Sequence, residues 1–524
     1  MKPPALCLLL VLIGAALGRV AATWPVYTPT YDEPYHLAGG MQWLDQQVYQ
    51  YGQMHPPLAR VAVALGPYLS GYHSQNRTEI WDEGNAILNQ KSQQQRAIVL
   101  ARAGVLPFLV LAILVVFAWA RWLAGDAVAL LAVLAFTCVP PVLAHSGLAT
   151  TDAAAMATIA ACLYALLRWL ESPTWPRTAG LGVAAGLALL AKMSSLIYLP
   201  IAGAVFLASW ISAGNRVSFH LRRTVPALAI AFLVLWSGYR FSVGPVRADL
   251  SGKVTSASAP VYPAPEFLSG FMQMLGENAK GRRSFLLGER YIGGRWYYFP
   301  VALAVKTPLP FVFLAGLGSI ILLKVSVRRR PAAAPMLGAG VILLTALPAR
   351  LNIGVRHVLP IFPMLAICAG VGMYQLWSWR RHPSAGRLLS VGLASWLVIE
   401  SVRAHPDYLP YFNQLAGKHP ENVLVSGDLD WGQDLGRLVD TLRLRHIQHI
   451  SLAYFGKVDL TRQGLPPFTE VRANRPVTGW IAASIYCLQL GEQRGSFDAY
   501  AWLRSYTPVA RVGQTIRLYY ITPN

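Results

Sequence analysis

Residues 178–214 read TAGLGVAAGLALLAKMSSLIYLPIAGAVFLASWISAG, with Lys192 the one charge among them. As a single helix rising 1.5 Å per residue, this stretch would measure roughly 55 Å, well beyond a hydrocarbon core of about 30 Å. It is therefore read as two membrane helices that turn at Lys192-Met193-Ser194-Ser195. Working outward, further apolar runs of membrane type lie at 5–23, 98–120, 127–144, 148–169, 224–240, 298–323, 332–349, 357–379 and 386–402. With the two halves of the opening stretch, 178–192 and 193–213, they predict about eleven transmembrane helices. Composition agrees: 54% of the 524 residues are hydrophobic and only 13% are charged. Soluble domains run near a quarter charged, so a deficit of this size marks a polytopic α-helical membrane protein.

A formal charge of +21 would suggest nucleic acid in a soluble chain. Here the basic residues cluster in alternate loops: Arg121; Arg168 and Arg177; Arg216, Arg222 and Arg223; Lys324 and Arg328 to Arg330; Arg380, Arg381 and Arg387. Positive loops face the cytoplasm, so no nucleic-acid partner is expected. The chain is placed in the cytoplasmic (inner) membrane with its N-terminus inside and its C-terminal end outside. The outer side then receives residues 24–97, 241–297 and everything after about 403. Lys2, the short apolar run and Ala21-Ala22 also fit a cleavable signal peptide, which would leave the other spans oriented the same way. The five cysteines are scattered without a CxxC pair, so neither a disulfide framework nor a zinc site is indicated.

The first outer loop opens with Thr30-Tyr31-Asp32-Glu33-Pro34-Tyr35-His36-Leu37. An acid followed by Pro two positions on is a helix start, with Asp32 as side-chain cap. Leu37, Met41, Leu44 and Val48 continue at helical spacing, and a second helix is predicted from His55-Pro56-Pro57-Leu58. Asp32 and Glu33 could simply complement the helix dipole. Their position where a membrane helix exits favours chemistry instead, because there they reach both a lipid headgroup and an aqueous substrate. Two adjacent carboxylates that are partly desolvated also repel, which moves a pKa toward general-base values.

Asp32-Glu33 after the first span, then His55-Pro56-Pro57-Leu58, resembles the protein O-mannosyltransferases and the bacterial lipid A aminoarabinose transferases. The resemblance continues in order through Gly147 to Asp152, Leu190-Ala191-Lys192, Lys306-Thr307-Pro308-Leu309-Pro310, Asn352 to His357, and Asp430-Trp431-Gly432-Gln433-Asp434-Leu435. Any one of these motifs is weak, and their shared order is what is specific. The resemblance implies the GT-C fold and a polyprenyl-phosphate-linked sugar donor, with Asp32 as catalytic base and Asp152 as a second acid. The large inserted sugar-binding domain of the eukaryotic enzymes is missing here. That leaves the acceptor open: protein, lipid or polysaccharide.

Several cations sit on the side opposite the positive loops. Arg102, Lys192, Lys306, Arg350, Arg356 and His357 all fall at or near outer ends of spans. A cation within a span costs about 2.5–3.5 kcal/mol and usually faces protein or a cavity. One such residue can snorkel, but several on one side suggest a shared anion. A lipid-linked phosphate fits, because cations at headgroup depth stabilise its charge as a leaving group. Donor-phosphate binding is therefore assigned to Lys192, Arg356, Lys306, Arg102 and His357. The resemblance points the same way for Lys192 and, less closely, for Arg356 and Lys306. Arg290 and Arg295 could also reach the phosphate, and His55 is a further site candidate. Trp296 to Phe299 suit either an interfacial aromatic belt or sugar stacking.

From about residue 403 the pattern changes to short strands at Val423-Leu424-Val425, Ile450 to Phe455, Trp480 to Ser484 and Ile516 to Ile521. Helices are predicted from Trp431 to Arg445 and from Phe497 to Tyr506, which makes a small extracytoplasmic α/β domain over 403–524 beside a transmembrane catalytic domain over 1–402. The run Gly427 to Asp434 is either a capped helix start packed on the membrane domain or an acceptor contact.

The expected reaction is transfer of a sugar from a polyprenyl-phosphate carrier to an acceptor hydroxyl outside the membrane, with inversion. Asp32 would take the acceptor proton and Glu33 would orient base or acceptor. Paired carboxylates could hold a divalent metal, but no ligand spacing supports one, so no cofactor is assigned and a metal stays open. A transporter or flippase for lipid-linked sugars is the alternative, as is a noncatalytic lipid-binding scaffold. Internal repeats would mark the former, and a scaffold has no need of Asp32.

Overall fold

Helix covers every one of the apolar runs. In this computed structural model, residues 3–212, 214, 218–246, 260–326, 330–492 and 495–523 are described; Lys2, Arg216, Arg328 and Arg329 of the charge arguments, and 247–259 of the second outer loop, lie outside them. The stretch 178–214 divides as expected: one helix runs Trp175–Ala191, Lys192 is extended, and a second runs Ser195–Ile211. The run at 98–120 falls on Gln94–Ala103 and Leu106–Ala124, which together pass as one membrane span, and the run at 148–169 on Asp152–Glu171. The run at 127–144 becomes Asp126–Thr137 and Pro140–Ser146, bent by 70° where prolines 140 and 141 end helical hydrogen bonding. Likewise the run at 298–323 is broken at Pro308 into a short helix, Tyr298–Lys306, and a longer one, Leu309–Ser326.

Among the described residues, five helices are long and apolar enough to cross a membrane by themselves, or six if the bent pair counts as one span. Ser195–Ile211 and Ile361–Trp377 are shorter, at 17 residues each, about 25 Å of rise. The chain is a membrane helical protein, and helix length by itself does not fix the number of spans.

Small residues set how closely the helices pack. Gly182 and Gly186, four apart on one helix face, meet Ala227, Ile230 and Val234 of the helix Ser218–Gly238. A Cβ at Gly182 would lie 2.7 Å from the Ala227 carbonyl oxygen, a contact that real side chains do not make. Arg19 fastens the first helix to Pro383–Arg403 and the chain just beyond it. It donates from Nη2 to the Ser401 carbonyl (2.8 Å) and hydroxyl (2.6 Å), and from Nε to the Tyr408 hydroxyl (3.0 Å).

The first outer loop departs from its expected helix. Glu33–Met41 is α-helical, but Gln42–Gln46 forms a π turn and Gln47 is left-handed at φ 57°. Leu37 and Met41 are buried, whereas Val48 lies beyond the helix and is exposed. The helix Pro57–Leu69 begins as predicted and packs across Gly39 and Gly40. A Cβ on Gly39 would sit on the Arg60 guanidinium, and one on Gly40 on the Arg60 carbonyl. The second outer loop holds the hairpins Val243–Pro245 with Val261–Pro263 and Arg283–Leu286 with Glu289–Ile292, and between them the helix Pro265–Lys280.

After residue 404 a five-stranded mixed sheet forms, in the order Phe468–Glu470, Ile450–Ala453, Gly479–Ser484, Ile516–Ile521, Ala510–Val512. The first three strands are parallel, and the last two pairings are antiparallel. The helix Leu435–Leu444 packs Leu435, Leu438 and Leu442 against it. Val423 to Val425 is not a strand; Leu424 makes one isolated bridge to Leu286. The expected helix at 497–506 shortens to a 3-10 turn, Ala501–Ser505.

Candidate active site

Asp32 occupies the N-cap position of Glu33–Met41, yet its carboxylate does not cap the helix. It turns instead to Arg356, whose Nη1 donates to Oδ2 at 2.8 Å. Arg356 sits on a short 3-10 turn, Val355–Val358, that follows the left-handed Gly354. Its Nε donates to the Ile353 carbonyl (3.3 Å), and its guanidinium carbon lies 4.2 Å from the Trp431 ring centroid. The arginine is thus held between a carboxylate from the first outer loop and an indole from the C-terminal region.

The same indole meets the His145 ring edge-on at 6.0 Å. His145 Nδ1 lies 3.8 Å from Asp152 Oδ2, and Lys192 Nζ donates to Asp152 Oδ1 at 2.6 Å. Asp152 opens the helix Asp152–Glu171, and Lys192 lies at the extended break between two helices. Arg356 and Lys192 both act electrostatically on Asp152 and on His357. Asp32, Arg356 and Lys192 keep side-chain exposures of 25%, 12% and 14%, so these three charges open outward while Asp152 lies behind them at 3%.

Glu33 and Arg102 have no exposure at all. Arg102 Nε and Nη2 donate to the two Glu33 oxygens, each at 2.8 Å, and its guanidinium also donates to the carbonyls of Trp24, Tyr27 and Thr28. Glu33 also accepts from the Ala149 amide (2.8 Å) and the Thr30 amide (2.7 Å). The adjacent acids therefore do not repel across a shared space. Glu33 faces inward to a bidentate arginine and Asp32 faces out. This corrects the sequence reading of Arg102 as a phosphate ligand, and of the two readings of Glu33 it removes contact with the acceptor and leaves support of the base, because both side chains are used up in buried pairing.

Lys306 is likewise corrected. Its ammonium, 1% exposed, donates to the Leu409 (2.8 Å) and Asp428 (2.6 Å) carbonyls and lies over the Phe412 ring. It ties a membrane helix to the C-terminal region. His357 borders the site, its ring 6.3 Å from Phe299 and its carbonyl accepting from Tyr198. Arg290 pairs with Asp498 (2.6 Å), while Arg295 lies 3.6 Å from Glu289 and over the Tyr291 ring. Arg290 thus joins the second loop to the C-terminal region and Arg295 stays within its own loop, so both are engaged away from Asp32.

His55 packs edge-on against His36, with ring centroids 4.9 Å apart, and Nδ1 of each is enclosed without a hydrogen-bond partner among the described residues. Burial, and then the neighbouring positive and imidazole groups, hold both rings well below their usual pKa and hence neutral. The acids of the C-terminal run act in local structure. Asp428 accepts from the Val355 amide (2.9 Å) and the Tyr298 hydroxyl (3.3 Å), Asp430 from the amides of Tyr486 and Gly432, and Asp434 from those of Gln514 and Thr515. Burial pushes Asp430 up to about 7 in spite of those amide donors. Asp428 thereby shapes the turn that presents Arg356.

The sequence reading quoted Trp431 in a motif without giving it a role, and it missed His145. Trp431 lies in a run that reads as a helix start, and His145 lies at the edge of the apolar stretch 127–144. A lone histidine beside a membrane run is a polar anomaly that could have drawn attention. No groups of three or more His, Cys, Asp or Glu suited to a metal occur among the described residues.

Among known proteins, the family model for dolichyl-phosphate-mannose-protein mannosyltransferase matches residues 93–238. No curated protein matches the sequence. ArnT from Cupriavidus metallidurans, in its crystal structure bound to undecaprenyl phosphate, superposes with a TM-score of 0.54 at 13% identity over 97% of each chain. Its apo form gives 0.54 at 14% identity, also over 97% of each chain. The Archaeoglobus fulgidus oligosaccharyltransferase in the apo form gives 0.50 at 13% identity, over 84% of this chain and 58% of that one. Fold and match together define an integral membrane protein of the GT-C fold. Within that class, residues 93–238 match the protein mannosyltransferase model and the chain shares its fold with ArnT.

Proposed function

We propose that this chain is a glycosyltransferase that moves a sugar from a polyprenyl-phosphate carrier to an acceptor hydroxyl on the outer face of the membrane, inverting the anomeric centre. The observation that carries the reading is the pairing of Asp32, partly exposed and not used as a cap, with the largely buried cation Arg356. The mannosyltransferase family match over 93–238, and the undecaprenyl phosphate bound by the structural relative ArnT, support a lipid phosphate as carrier.

In this reaction Asp32 takes the acceptor hydroxyl proton as the oxygen attacks the anomeric carbon. The bond from that carbon to the phosphate oxygen breaks, and the electron pair leaves with the polyprenyl phosphate. Arg356 and Lys192 hold the phosphate and stabilise the charge it gains. Nη1 of Arg356 stays on Asp32 while Nη2 meets a phosphate oxygen, which brings base and leaving group to one guanidinium fork. Asp152 orients the Lys192 ammonium, and Glu33 with Arg102 fixes the loop that carries Asp32. Residues 1–402 are the membrane catalytic unit and 403–524 an outer α/β unit that supplies Trp431. The setting is the cytoplasmic membrane, with the C-terminal end outside.

Release of radiolabelled sugar from a panel of polyprenyl-phosphate sugars, in detergent and with the purified chain, tests the proposal. Turnover that disappears in Asp32→Asn supports it. Transport of the intact donor across vesicles without glycosidic cleavage would replace it with a flippase.

A further inference from the structure

A second opening lies apart from Asp32. A cleft of about 350 Å³ is bounded by the end of the first outer-loop helix, the chain after Gly238, and the start of the helix Pro265–Lys280. Trp43, Gln47, Gln50, Gln53, Ser242 and Glu266 contribute to its lining, whereas Asp32, Lys192 and Arg356 do not. Tyr49 and Gln53 are part of its wall, and the Tyr49 hydroxyl donates to the His55 carbonyl.

We propose that this cleft binds a neutral saccharide unit of the acceptor. The inference rests on the glycosyl-transfer reading and names part of its substrate. The lining has no surplus of positive charge for the donor phosphate. The one cation among the described lining residues, Arg240, is stacked on Trp43 at 3.8 Å and donates to the Trp43 carbonyl at 2.9 Å. Opposite charge is present in Glu266, half-buried, which accepts from the Ser242 hydroxyl at 2.7 Å and forms no ion pair among the described residues. Three glutamine side chains beside a carboxylate offer donors and acceptors to a ligand of many hydroxyls. Gln53 turns Nε2 to the Tyr49 carbonyl (3.1 Å), which leaves its amide oxygen for an incoming hydroxyl. The Tyr239 hydroxyl in the wall is buried without a partner among the described residues. A lipid tail would bury these polar groups against hydrocarbon, at a cost that rules it out as occupant. Backbone conformation marks the same place: Gln47 and Arg240 in the lining and Ala264 beside it are left-handed, at φ 57°, 55° and 48°.

Saturation-transfer NMR on the full chain in detergent tests this, with methyl glycosides of glucose, galactose, mannose and arabinose as probes and phosphoethanolamine as the competing chemistry. At least one glycoside should show transfer, unchanged in Asp32→Asn and reduced at least fivefold in Glu266→Ala and Gln50→Ala at an unaltered unfolding midpoint. Should Glu266→Ala lower the midpoint, Glu266→Gln serves in its place. Binding is read rather than turnover, so a chain without transferase activity can still pass. Silence from all four glycosides overturns the subsite and leaves the transfer assay standing. Binding of phosphoethanolamine alone makes the cleft a headgroup site, and loss of the signal in Asp32→Asn puts the sugar in the main centre; either result also overturns it.

Discussion

Arg356 Nη1 and Asp32 Oδ2 lie 2.8 Å apart although 324 positions separate the two residues in the chain. The contact joins the first outer loop to the turn before the helix Ile361–Trp377, and Trp431 closes over it from the C-terminal region. Three separate parts of the chain therefore meet at one guanidinium.

Because Asp32 caps nothing, Asp32→Asn should leave folding and donor binding close to wild type. Its transfer rate should fall by about 10²–10⁴-fold, the usual contribution of a positioned acid–base group. Single-turnover rates at saturating donor, with the unfolding midpoint measured on the same preparation, check both halves. A variant that turns over near the wild-type rate moves the chemistry elsewhere, with Asp152 next to examine.

Glu33 should behave in the opposite way. Removing one partner of a buried pair leaves the other charge uncompensated, at a cost of about 3–5 kcal/mol. Glu33→Gln and Arg102→Ala should each lower the unfolding midpoint sharply, and the double substitution should cost less than the sum of the two. Additive losses in a double-mutant cycle would show that the pair is not the coupling unit.

Lys192→Ala should raise KM for the lipid donor by about tenfold, the equivalent of ~1.4 kcal/mol, since it removes a charge that opens to the site. Asp152→Asn leaves the ammonium in place but releases its 2.6 Å anchor, so it should raise KM less. Trp431→Ala takes away a stacking surface worth about 1–2 kcal/mol to a partly desolvated arginine. The indole is also buried in the core, so its truncation should raise donor KM and lower the unfolding midpoint together. Steady-state kinetics with the donor varied separate these cases.

Acid should destabilise the protein through His36 and His55. Their folded pKa values lie below the unfolded value of about 6.5. Between those values the unfolded chain binds the extra protons, so stability rises with pH and is lost as pH falls below about 6.5. The slope is about 1.4 kcal/mol per pH unit for each such proton. Unfolding midpoints between about pH 7.5 and 5, a window that brackets the unfolded value, should show it. His36→Gln should flatten the slope, and an equal slope in that variant would assign the effect to other groups.

Much of the helical architecture was legible because it is written in one-dimensional patterns. A run of apolar residues longer than a bilayer needs, interrupted by Lys192 alone, demands a turn, and the helices end at Ala191 and resume at Ser195. The strand Ile516–Ile521 and the helix start at Pro57 follow from equally local signals. Short strands were missed where only pairing defines them: Phe468–Glu470 and Ala510–Val512 are three-residue edges with no pattern of their own.

The amino-acid sequence by itself determined that the chain is a helical membrane protein, and singled out Asp32, Asp152, Lys192 and Arg356 as charges set against its apolar background. Cations near outer span ends look alike in sequence, since each offers charge at one depth. Only tertiary structure decided their uses, because a buried cation must find its counter-charge or carbonyls within hydrogen-bond reach. Arg102 finds both Glu33 oxygens and Lys306 finds two carbonyls, so each is consumed inside the protein. Arg356 and Lys192 meet Asp32 and Asp152 at the open edge, where charge can be offered to a substrate.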